Sequence, residues 1–258
     1  MSNTKKRLHV HIPYRMLVEE LPKVLDMGLN PEVFLDAETL DNIDLKEVRE
    51  VSSALSDRGL FTTIHGPFME LSPGAPDGRV RMATVDRFNQ TLDVAERLRP
   101  RAIVLHGGFD DRHFDGDVDV WLNESLKTWP EIAARAERLD TVIAVENIFE
   151  EEPTPLRRLI DSIASSAFGV CIDVGHLKLF SKVSLEEWFK TINNDIKELH
   201  IHDNHGTTDE HLAIGEGDID FDLFFSLVTA HAEDPIYTIE PHGEEALKRA
   251  LKAVQRYL

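Results

Sequence analysis

Histidines and acids recur at the ends of short apolar runs throughout this chain. His65, His106 and Glu146 each close one such run. Asp173 closes another, with His176 three residues on, His200 and His202 share the next, and Glu240 ends the last. Imidazole and carboxylate are the ligand types that zinc and manganese accept. One histidine at a strand end is ordinarily a hydrogen-bonded structural residue, and one terminal acid is ordinarily a cap or a solvated charge. Acids gathered in one place repel each other and resist burial unless a cation compensates them. Repetition at successive run ends therefore points to a centre for divalent metal, with zinc or manganese as the fitting elements. A later loop adds Asp209-Glu210-His211 ahead of Ile214-Gly215-Glu216-Gly217-Asp218, where glycine permits tight turning. Taken alone, that triplet is an ordinary turn.

Side chains so far apart in sequence need a scaffold that brings run ends together. Reading for period and punctuation predicts strands over residues 7–12, 32–36, 60–65, 102–106, 141–146, 168–173, 198–202 and 236–240. Helical patterns lie between them at 45–58, 80–98, 121–139, 156–165, 185–194 and 221–231, and a last one covers 244–258. Asp44 can cap the first of these helices, and Ser184 with Glu187 has capping-box spacing. Eight strand–helix units at about 32 residues each predict one (β/α)₈ TIM barrel over residues 1–258, whose strand C-termini meet on one rim. A doubly wound sheet is the rival. It lacks support, because His11-Ile12-Pro13-Tyr14-Arg15 stands where a glycine-rich fingerprint would follow the first strand.

Alternation along a strand provides a test. The residue before each putative ligand should face the outer helices, and those residues are Ile64, Leu105, Val145, Ile172, Leu199, Ile201 and Ile239. Two positions before the ligands, facing inward, stand Thr63, Val104, Ala144, Cys171 and Thr238. By the same parity His9 and His11 point into the barrel. Cys171 reads as packing, since no base is placed to activate it. Trp121, Trp129 and Trp188 fall on helical stretches and read as packing too.

In the 258 residues, 47 acids outnumber 28 Lys and Arg, for a net charge of −19, which weighs against a nucleic-acid partner. Hydrophobic residues at 42% suffice for a core. No apolar run is long enough to span a bilayer, and the basic start has no apolar stretch behind it. With a single cysteine, these features place the expectation in the cytoplasm. Oligomeric state is not legible.

These motifs resemble the xylose isomerase-like barrels, a group that includes sugar phosphate isomerases and epimerases and endonuclease IV. The stretches that carry the resemblance are His65-Gly66-Pro67-Phe68, His106-Gly107-Gly108, Glu146-Asn147, Cys171-Ile172-Asp173-Val174-Gly175-His176, His200-Ile201-His202-Asp203-Asn204, Asp209-Glu210-His211 with Gly215-Glu216-Gly217, and Glu240-Pro241. From the isomerases the resemblance implies one ion held by Glu146, Asp173, Glu240 and either His200 or His202. From endonuclease IV it implies three ions held by His65, His106, Glu146, Asp173, His176, His200, Asp209, His211 and Glu240. The chain departs from the endonuclease in having no basic or aromatic insertion suited to bending DNA. Its 107–119 loop is acidic, with Asp110, Asp111, Asp115, Asp117 and Asp119.

The expectation is a metal-dependent isomerase or epimerase of a small sugar or sugar phosphate, with Glu146 and Glu240 as catalytic base and acid. His11, His106, His176 and Lys178 are candidate substrate contacts; Arg15, Arg79 and Arg81 could reach a phosphate but read first as surface charges. The alternatives are a multi-metal phosphoesterase and a barrel that binds sugar or metal without catalysis.

Overall fold

The computed structural model describes residues 8–258. Eight parallel strands close into a barrel in sequence order: β1 Leu8–Pro13, β2 Asn30–Phe34, β3 Thr63–His65, β4 Ala102–His106, β5 Val142–Glu146, β6 Phe168–Asp173, β7 Ile196–Ile201 and β8 Ile236–Ile239. The predicted start of the first strand at Arg7 lies outside the described residues. The outer ring consists of α1 Tyr14–Glu19, α2 Leu21–Met27, α3 Ala37–Asn42, α4 Leu45–Asp57, α5 Gly78–Leu98, α6 Val118–Ser125, α7 Trp129–Arg138, α8 Thr154–Ile163, α9 Val174–Phe180, α10 Leu185–Ile192, α11 Phe221–His231 and α12 Glu244–Val254. No helix among the described residues is long and apolar enough to cross a membrane.

Several expectations shift: the third strand shortens from 60–65 to Thr63–His65, the seventh moves from 198–202 to Ile196–Ile201, and the eighth stops at Ile239 rather than 240. The second strand is Asn30–Phe34 rather than 32–36, because Asp36 leaves the sheet to cap α3, accepting from the Thr39 N–H. The helix expected over 121–139 is two, α6 and α7, with Pro130 in the first turn of the second. Proline is tolerated there because that N–H has no intrahelical partner. Finally, α9, which no predicted helical pattern covered, begins at once where β6 ends.

Two apolar layers flank the strands. Ile64, Leu105, Val145, Ile172, Leu199, Ile201 and Ile239 are all buried in the large core between barrel and helices, as parity required. Val104, Ala144 and Cys171 form a separate small cluster inside the barrel. Burial pushes the Cys171 thiol well above its ordinary range, so it packs as a small apolar group. Trp121, Trp129 and Trp188 are fully buried beneath the helices. Fully burying one outer-face Ile contributes about 1.5–3 kcal/mol, so this shell supplies rigidity that the polar interior does not.

That interior is polar below the rim. His9 is fully buried, with Nδ1 3.5 Å from the Thr63 hydroxyl and Nε2 unpartnered. Burial lowers its pKa from 6.5 to about 4. A depressed folded-state value means stability that is present above pH 6.5 and lost as pH falls through 4. We expect His9→Asn to remove about 3 kcal/mol of the stability difference between pH 7 and pH 4. Urea unfolding at the two pH values checks this; an unchanged acid limb would refute it.

Candidate metal centre

Strand ends deliver most of the candidate residues to one place. Register sets His106 beside Glu146 on β4 and β5, and Asp173 beside His200 on β6 and β7. Asp173 also caps α9 by accepting from the His176 N–H at 2.7 Å, which holds His176 on the first turn above the rim. Asn147 ties β5 to β6 by exchanging hydrogen bonds with the Asp173 backbone. The loop after β7 is held by buried Asp203, which accepts from the N–H groups of Asn204, Gly215, Gly217 and Ile219. This clamp hangs Asp209 and His211 over the barrel mouth. His211 sits at φ 50°, a left-handed conformation uncommon outside glycine.

Three candidate ligand sets run side by side. In the first, Glu146 Oε2 lies 3.1 Å from His65 Nε2 and 3.2 Å from His106 Nε2. In the central one, His200 Nδ1 faces Glu240 Oε1 at 3.4 Å, Glu146 Oε1 at 3.6 Å and Asp173 Oδ2 at 3.9 Å. In the third, Asp209 Oδ2 lies 3.4 Å from His176 Nε2 and 3.0 Å from His211 Nε2. His202 sits between the last two. Its Nε2 is 3.1 Å from Asp173 Oδ2, and its ring stacks on His211 with centroids 4.0 Å apart. Gly175 makes room for that ring, since a Cβ there would fall 2.0 Å from His202 Cε1.

The central set fits a divalent ion. The His200 Nδ1 is buried and has no hydrogen-bond partner, although three carboxylates surround it. Two ligands held about 2.1 Å from a tetrahedral ion stand roughly 3.4 Å apart, so the observed spacings are too long for hydrogen bonds and right for a shared cation. Electrostatics agrees. Burial would raise the Glu146 pKa, but the imidazoles of His200 and His106 around it hold it well below the usual carboxylate range. Burial alone would lower His65, yet the Glu146 carboxylate against it raises it to about 9.

Above the rim opens a cavity of about 870 Å³. His11, His106, His176, Asp209, His211 and Glu240 line it, together with an aromatic and apolar wall that includes Phe34, Phe68, Phe109 and Phe149. His11 therefore reaches the cavity and His9 does not. Lys178 is not brought to the site; its Nζ donates to the Asp218 carbonyl 3.2 Å away. Arg15 pairs with Glu38, Arg81 pairs with Glu124, and Arg79 is exposed away from the lining.

Sequence reasoning missed Glu32, fully buried on β2, whose carboxylate meets His11 Nδ1 at 2.8 Å and His200 Nε2 at 3.0 Å. An acid within the apolar run Glu32-Val33-Phe34-Leu35 was the available signal. It also missed His242, which stacks on His211, and the stack of Phe68 on His106.

The eight parallel strands form a closed TIM barrel whose carboxyl rim gathers buried clusters of acids and imidazoles consistent with a divalent metal site. The chain belongs to the xylose isomerase-like TIM barrel family, whose model matches residues 29–257. Among curated proteins it is 28% identical to the uncharacterised protein MJ1311 of Methanocaldococcus jannaschii, over 76% of this chain and 69% of that one. It is 26% identical to "Probable endonuclease 4" of Mycobacterium ulcerans, over 73% and 76%. Among solved structures, a D-tagatose 3-epimerase-like protein superposes with a TM-score of 0.81 at 23% identity, covering 96% of each chain.

Proposed function

We propose that this chain is a metal-dependent isomerase or epimerase of a small, unphosphorylated sugar. One observation carries the reading: Glu146 and Glu240 face the same unpartnered imidazole nitrogen, at 3.6 and 3.4 Å, from β5 and the end of β8. Glu146, Asp173, His200 and Glu240 would hold a divalent ion, which would supply Lewis acidity to neighbouring carbonyl and hydroxyl oxygens and so make the carbon-bound proton more acidic. The protein's own groups do the rest. Glu146 and Glu240 stand on two sides of the substrate and move its protons as base and acid. His11, His106 and His176 line the cavity where sugar hydroxyls need partners, while Phe34 and Phe68 offer flat faces to sugar C–H bonds.

Absence of a cationic anchor argues for a neutral substrate. Among the described residues, no Lys or Arg lines the cavity, whereas Glu70, Asp77 and Asp110 do. The test is solvent deuterium incorporation at a sugar carbon by metal-loaded protein, read by mass spectrometry across a panel of aldoses and ketoses. We expect incorporation, with phosphate esters at least about tenfold worse in kcat/KM than the parent sugars. No incorporation across the panel would overturn the reaction. Faster exchange in the esters would overturn the neutral substrate.

The flanking sets favour a second reading, metal-assisted hydrolysis of a small phosphoester. Two or three ions there would generate hydroxide and offset charge on a phosphoryl group. Ion stoichiometry separates the two readings, as argued below.

A further inference from the structure

We propose that Glu32 is a positioning residue that fixes the tautomer and orientation of His200, and so determines which imidazole nitrogen is offered to the central site. The inference rests on the metal-binding half of the function proposed above, not on the reaction. Glu32 lies on β2 and His200 on β7, with β8 and β1 between them around the barrel. The carboxylate thus reaches across the closed interior rather than to a strand neighbour.

Both residues are fully buried. An ionised carboxylate in such a place is costly unless each oxygen has a partner, and here each has one. Oε1 accepts from His200 Nε2 at 3.0 Å, and Oε2 accepts from His11 Nδ1 at 2.8 Å. The second partner is the in-register neighbour on β1. A carboxylate only accepts, so Nε2 of His200 carries the hydrogen, and in the neutral imidazole, the form that ligates a metal, Nδ1 then keeps its lone pair. That nitrogen is the one left unpartnered among the carboxylates of Glu146, Asp173 and Glu240. Partners of this kind on the far nitrogen of a ligating histidine typically change metal affinity 10- to 100-fold.

Glu32→Gln breaks the arrangement without changing its size. An amide accepts at one end and donates at the other, so it cannot accept from both rings, and one imidazole must turn or change tautomer. Two measurements on the full chain test this. In the first, a chromophoric chelator competes for Zn²⁺ with wild type and Glu32→Gln. We expect the same number of ions per chain and a 10- to 100-fold weaker Kd for the variant. An affinity within about threefold of wild type would overturn the proposal. Loss of one whole ion with the others at full affinity would also overturn it, since Glu32 would then itself be a ligand.

The second measurement uses wild type alone and survives any failure of the variant to fold. Side-chain ¹⁵N shifts of the Zn²⁺-loaded protein, with His200 assigned by its absence from His200→Asn, should show hydrogen on Nε2 and metal on Nδ1. The reverse pattern sinks the role assigned to Glu32 while leaving the metal site standing. A wild-type chain that takes up no Zn²⁺ at all removes both.

Discussion

Glu240→Gln should lose proton exchange at the substrate carbon by on the order of 10³-fold or more, while the metal-free variant melts within a few degrees of wild type. The expected size follows from general acid–base catalysis, which contributes about 10²–10⁴-fold, with loss of a charged ligand added to it. Glu240 directly follows the last strand at 9% exposure, with Oε1 3.3 Å from His11 Nδ1 and 3.4 Å from His200 Nδ1. Its other oxygen faces His211 Nδ1 at 3.6 Å. The amide has the same shape and still accepts from an imidazole, so packing is preserved. What it loses is the ability to take a proton and the negative charge that holds a cation. Deuterium exchange and calorimetry together decide the matter. Wild-type exchange in the variant would rule Glu240 out of the chemistry, and a melting point lowered by tens of degrees would make the residue structural.

Metal loading should produce the second large effect. Zn²⁺ or Mn²⁺ at about a thousandfold above its Kd stabilises the folded state by about 4 kcal/mol, which for a chain of this size raises Tm by on the order of 10 °C. We expect one tightly held ion per chain in the set formed by Glu146, Asp173, His200 and Glu240, and weaker uptake elsewhere. The central set brings four ligands to a buried point, whereas each flanking set has three and the one with Asp209 is partly open to solvent. Elemental analysis after dialysis against a mild chelator counts the ions. Two or three ions of equal affinity would shift the functional reading to phosphoester hydrolysis, and unchanged Tm on loading would argue against the site altogether.

Much of this architecture was legible because each strand carries its own instructions. Alternation told inside from outside: Leu105, Val145 and Ile172 join the outer core, while Val104, Ala144 and Cys171 face inward. Strand ends at His106, Glu146 and Asp173 were read to the residue, because an apolar run that stops at a polar side chain marks a strand boundary. Reading failed where one residue serves two elements. Asp36 looked like a strand end and is a helix cap; at Asp173 the strand end was read correctly and its second role, as cap of α9, was not. Glu32 was overlooked for a different reason: a buried acid inside an apolar run has no local partner to explain it, and its partners lie 21 and 168 residues away.

By itself, the amino-acid sequence determined the period-two strands, most of the helices between them, the inward parity of the imidazoles and acids, and a resemblance to the xylose isomerase-like barrels. These are properties of single segments or of their spacing, and backbone sterics and hydrophobic pattern suffice to set them. Only the tertiary structure decided that Lys178 turns away to Asp218, that the cavity wall is aromatic, that Asp203 clamps the Asp209–His211 loop, and which nitrogen of His200 remains free. Each depends on distances between groups on separate strands or loops. Barrel closure sets those distances, and no single segment encodes them.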